Sequence, residues 1–227
     1  LEANKLCKFE FKIEKTDGSP LTSKDVALSH TKKIHLLAVD ESLNDYHHVH
    51  PVADGLFDGV WHFSLTPNNP GKYSVYFDFI PQKSPRRVLL SSSFEINGEK
   101  SLNEDREENL VYSHESLNFE LIKDHADSNE DQIQLTLIAK DEKGQDVILH
   151  PVMGAFAHMV AFDNTLNGFA HLHPLSENLS NSKQITYQGP LTFGFSPPNR
   201  GVYRLWAQVK TTLNKEILIP FDLEIGS

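Results

Sequence analysis

A histidine-rich block occurs twice in this chain without a gap. His35, Asp40, Leu43, Asn44, His48, His50 and Pro51 match His158, Asp163, Leu166, Asn167, His171, His173 and Pro174 at a constant offset of 123 (158 − 35). Further on, Phe63, Pro67, Asn69, Gly71 and Tyr73 match Phe193, Pro197, Asn199, Gly201 and Tyr203 at an offset of 130 (193 − 63). A tandem duplication fixes the number of folding units before any element is assigned. The matched Phe, Pro, Gly and Tyr are explained by a shared scaffold, whereas histidines that recur in register need a further reason.

The length of 227 residues agrees with two domains, at roughly 100 to 150 residues each. Residues 1–97 form the first repeat and 116–227 the second. Residues 98–115, polar, acidic and poor in apolar side chains, read as a linker. The net charge of −10 argues against nucleic acid or an anionic membrane surface as partner. No apolar run approaches the roughly 20 residues of a spanning helix, so no membrane insertion is expected. Cys7 stands alone, which excludes an intramolecular disulfide and thiolate-rich zinc sites.

Alternation dominates the rest. Cys7–Lys15 places Phe9, Phe11 and Ile13 against Lys8, Glu10 and Lys12, as a half-buried strand does. Further strands are expected at Lys33–Val39, Val60–Leu65, Lys72–Ile80 and Val88–Ile96 in the first copy. In the second they are expected at Leu117–Ile122, Gln132–Ala139, Phe156–Phe162, Leu191–Phe195, Gly201–Lys210 and Ile217–Ile225. Leu43–Pro51 is too rich in Asn, Asp and His for an ordinary core strand. A tyrosine two residues after a turn glycine, in both copies, matches the corner of immunoglobulin-like folds. With short strands, frequent Gly, Pro and Asn turns and no helical periodicity, the chain is expected to be all-β: two tandem immunoglobulin-like antiparallel β-sandwiches.

His-x-His in an extended segment puts both rings on one side of the chain. If that segment runs beside the strand carrying His35 or His158, three imidazoles converge, a sufficient primary shell for zinc or copper. Five residues before each strand histidine stand His30 and Met153, candidate fourth ligands, the thioether favouring reduced copper. The metal candidates are therefore His30, His35, His48 and His50 in one repeat and Met153, His158, His171 and His173 in the other. The competing explanation is a hydrogen-bonded structural cluster, with Met153 in the core. A spacing of roughly 3 to 4 Å between ring nitrogens of His158 and His171 would mark a shared ligand site, and more than about 8 Å would exclude one.

Two other functions compete. One is an immunoglobulin-like module that engages a protein partner without metal. The other is a cupin-like iron oxygenase, suggested by Asp54 and Glu177 four residues after each His-x-His, although the later histidine such enzymes use has no matched position here. There is no nucleophile elbow, phosphate loop or Cys–His pair. Asp40 and Asp163, each starting a turn, are expected to cap backbone amides, and His47 to lie on the surface.

The pattern His-x-x-x-Val/Phe-Asp, then Leu, then Tyr/Phe-x-His-x-His-Pro, followed by a strand opening Gly-x-Tyr, resembles bacterial exported proteins of the YtkA-like, heavy-metal-associated type. It spans His30–Phe79 and Met153–Val209, and departs from that family at Ile34 and Ala157, where a Met is expected. The resemblance implies a periplasmic or secreted location and a link to copper or other heavy metals, carried by His35, His48, His50, His158, His171 and His173. A signal peptide, removed on export, is not seen in these residues. The leading expectation is a non-enzymatic metal-binding protein for buffering, delivery or sensing, releasing its metal as imidazoles protonate near pH 6.

Overall fold

The computed structural model describes residues 1–29, 31–84, 86–99, 106–124, 132–166, 168–175, 186–211 and 215–226. The chain divides into two compact units, Leu1–Glu104 and Asp105–Ser227. Each is built from antiparallel sheets. In the first unit, β1 (Cys7–Lys12), β4 (Val52–Ala53) and β5 (Val60–Leu65) form a sheet in the order β1-β5-β4. Against it lies a second sheet, β3-β2-β6-β7, made of β2 (Ile34–Asp40), β3 (Tyr46–Val49), β6 (Gly71–Phe79) and β7 (Val88–Ile96). Period-two patterning puts Phe9, Phe11, Trp61, Phe63 and Leu65 of one sheet against Ile34, Leu36, Ala38, Val75, Phe77 and Phe79 of the other. Face-to-face sheets of this kind make a sandwich.

The second unit repeats this plan and adds to it. It contains β8 (Val111–His114), β9 (Leu117–Asp124), β10 (Ile133–Asp141), β11 (Leu149–His150), β12 (Ala157–Asp163), β13 (Phe169–Leu172), β14 (Leu191–Phe195), β15 (Gly201–Thr211) and β16 (Glu216–Ile225). One sheet runs β14-β10-β9-β8; in the other, β15 sits between β12 and β16, β13 flanks β12, and β11 extends the β12 side. Matching registers, Cys7↔Leu65 with Ile133↔Phe195 and Ile34↔Phe79 with Ala157↔Val209, make β1, β2, β5 and β6 the counterparts of β10, β12, β14 and β15.

One expectation needs correction. Val111–His114, assigned to the linker 98–115, is strand β8, paired with β9, and Asn109 exchanges two backbone hydrogen bonds with Asp222. Leu110 and Tyr112 supply the reason, because both pack on the core and so hold the segment in the sheet. Among the described residues, the β8–β9 hairpin has no counterpart in the first unit. The Asn- and His-rich segments form half-buried edge strands, β3 and β13, rather than core strands, each completed by the ladder of one neighbour. Both tyrosines reach back to the turn that precedes their strand: Tyr203 Oη donates to the Asn199 carbonyl at 2.8 Å, and Tyr73 Oη lies 3.1 Å from that of Asn69.

Candidate metal centres

β2 has two faces. Ile34, Leu36 and Ala38 point into the core, so His35, Leu37 and Val39 point the other way. β3 pairs antiparallel with Leu36↔Val49 and Leu37↔His48, which puts His48 diagonally across from His35 and brings His50 level with it. Pro51 cannot donate to that ladder, and the chain crosses to the opposite sheet, where Val52 pairs with His62. The second unit makes the same crossing. Val160 faces His171, and after Pro174 the Leu175 amide bonds to the Thr192 carbonyl of the other sheet. Each triad thus sits where the chain changes sheets.

His35 Nδ1 lies 3.2 Å from His48 Nε2, and His158 Nδ1 lies 3.3 Å from His171 Nε2. Ring centroids are 5.4, 4.9 and 5.0 Å apart in the first triad and 5.5, 4.8 and 4.6 Å in the second. In each triad one donor atom per ring can be chosen so that all lie within 4.8 Å of one another. Two imidazoles on a tetrahedral metal at about 2.0–2.1 Å would have nitrogens about 3.3 Å apart. The closest pair in each unit is already at that spacing.

The strand histidine is oriented by the backbone. His35 Nε2 is 3.0 Å from the Ser29 carbonyl, and His158 Nε2 is 3.0 Å from that of Val152. A carbonyl only accepts, so Nε2 carries the hydrogen and Nδ1 presents a lone pair to the other rings. A ring N–H tied to a backbone carbonyl is also the usual arrangement behind a ligating histidine. His35 and His158 are 2% and 1% exposed, so a ring without such a partner would carry a desolvation cost. Two bare lone pairs at 3.2 Å would repel, so without a cation His48 Nε2–H donates to His35 Nδ1.

His50 closes the first triad. Its Nε2 is buried and has no hydrogen-bond partner among the described residues. Burial first, then the neighbouring His35 and Lys32, brings its pKa down to about 4. This ring therefore stays neutral, and able to ligate, well below the expected release near pH 6. A buried unpaired imidazole nitrogen is the feature a purely structural cluster should lack.

The structure brings the six histidines of the repeated motif together as two triads. Met153 occupies the first central position of the Val152–Ala155 turn, beside the carbonyl that orients His158. Val152 and Ala155 exchange backbone hydrogen bonds across this turn, and Met153 and Gly154 have φ of 52° and 83°. His30, Asn167 and Glu177 lie outside the described residues. Asp54 does not join the triad: it accepts from the Leu56 and Phe57 amides and from His62 Nε2, at 2.7, 2.9 and 2.8 Å. Asp40 and Asp163 cap turn amides. His47 is largely covered, not superficial, and bonds Asp45 Oδ2 at 3.0 Å. Sequence reading missed the carbonyls of Ser29 and Val152, since a backbone acceptor leaves no trace in residue type.

The family described as "Domain of unknown function (DUF8832)" matches the chain over residues 1–93 and 113–226. The chain belongs to this family. Each of the two segments of this DUF8832 chain contains one complete triad. Among solved structures, a DUF3823 family protein from Bacteroides ovatus ATCC 8483 is similar at 10% identity, over 100% of this chain and 99% of that one, with a TM-score of 0.25. That likeness is too loose to bear on the site. No curated protein matches the chain.

Proposed function

We propose that each repeat binds one transition-metal ion, copper first and zinc second, through His35, His48 and His50 or through His158, His171 and His173. The role is metal buffering, delivery or sensing in the bacterial periplasm or outside the cell. The observation that carries this reading is the repetition of one geometry: ring nitrogens 3.2 and 3.3 Å apart, each strand histidine fixed by a carbonyl at 3.0 Å. Three imidazoles leave further coordination positions for water, a thioether such as Met153, or an incoming ligand.

The unpaired Nε2 of His50 favours this reading over a metal-free interaction module. Titration of copper or zinc into chelator-treated protein, followed by elemental analysis after desalting, should give two ions per chain. Replacing all three histidines of either triad by Ala should leave one. Failure to bind either metal at neutral pH, or an undiminished count in a triple variant, would refute it.

A further inference from the structure

The two triads are alike at the metal but not around it. Beside His50 the first unit has a groove of ≈ 460 Å³, lined by Lys8, Phe9, His62, Phe63 and Ser64 among others. Its volume lies within the roughly 300–1,000 Å³ of small-molecule sites. Phe9 and Phe63, stacked at 4.6 Å, contribute an apolar surface, and Lys8 stands directly across from Ser64 in the β1–β5 ladder. Lys8 makes no ion pair among the described residues, and the carboxylate of nearby Asp54 is taken up by two backbone amides and His62.

Register identifies what replaces these groups in the second unit. Lys8 corresponds to Gln134, His62 to Thr192 and Ser64 to Gly194. At Gly194 the space that a Cβ would need is already taken by the Gln132 side chain, with Leu175 Cδ2 at 3.6 Å. Gln134 and Thr192 carry no charge where the first unit has Lys8 and His62, and the position of Ser64 is covered.

Resting on the proposed metal function, we infer that the first repeat is a ligand-exchange site: a small carboxylate-bearing anion enters the groove beside His50 and coordinates the metal, with Lys8 and Ser64 holding its free end. The second repeat retains its ion without such a co-ligand. Anions and metal chelates carrying a carboxylate are thus the chemical class through which metal would enter or leave the first site.

The test uses the full chain loaded with Cu(II), lactate as the anion, and the visible copper absorption as the readout. In the unsubstituted chain, lactate should shift half of the copper signal. With the second triad changed to Ala the remaining signal should shift entirely, and with the first triad changed to Ala it should not move. Lys8→Glu should weaken the lactate response about tenfold, as loss of a charge-assisted contact does. Ser64→Trp, at an exposed position, should abolish the response while copper stays bound. Copper at both sites with no lactate shift, or an equal shift in Ser64→Trp, overturns this inference but leaves the metal reading intact. Absence of copper from both sites overturns both.

Discussion

At the scale of single residues, Asp45 and Thr31 separate the repeats. Asp45 is buried, which by itself would raise its pKa. The bonds it accepts from His47, Tyr73 Oη and the Asn68 amide outweigh this and hold it at about 2. Its counterpart, 45 + 123 = 168, is Gly168, so only the first repeat has this network. A carboxyl lowered from 3.8 to about 2 contributes stability that is complete above pH 3.8 and is lost as pH falls through 2, on the order of 2 kcal/mol. Acid titration of unfolding should show this loss in the parent and not in Asp45→Asn, which should be destabilised at neutral pH by about 1–3 kcal/mol. Thr31 is an exposed β-branched residue at φ 71°, a conformation that costs such side chains roughly 1–2 kcal/mol. Thr31→Gly should therefore stabilise the first unit by about 1 kcal/mol in urea unfolding, without changing metal stoichiometry.

At the scale of elements, the turn before each histidine strand matters more than its length suggests. In Val152–Ala155 both central residues have positive φ, the pattern of a type I′ hairpin turn, and Gly154 meets it without a steric cost. The turn aims the Val152 carbonyl at His158 Nε2. Gly154→Val should destabilise the second unit by about 1–2 kcal/mol. It should also weaken metal binding there alone, measured by competition with a chromogenic chelator. Equal affinity at the second triad in that variant would show that the carbonyl does not position the ring. Strands such as β5 and β14 were legible to the residue, because one apolar and one polar face leave a period-two signature. The strands β3, β8, β11 and β13 were not: they are held by a neighbouring ladder or by two or three packed side chains, and their composition carries no alternation.

For the whole molecule, metal and fold are linked. An ion that binds only the folded unit stabilises it by about 2.7 kcal/mol at a hundred times its dissociation constant. Thermal unfolding should therefore shift upward with added zinc or copper, and removal of one triad should abolish the response of one unit while the other keeps its own. A melting curve indifferent to metal would count against both sites. The sequence by itself determined the duplication, the all-β character and which six histidines to watch, because repetition in register and period-two patterning are properties of the chain as a string. Only the tertiary structure decided that the rings meet. That depends on β3 pairing with β2 up to Val49, two residues before Pro51, and on a carbonyl that fixes each tautomer, both produced by segments apart in sequence being brought side by side.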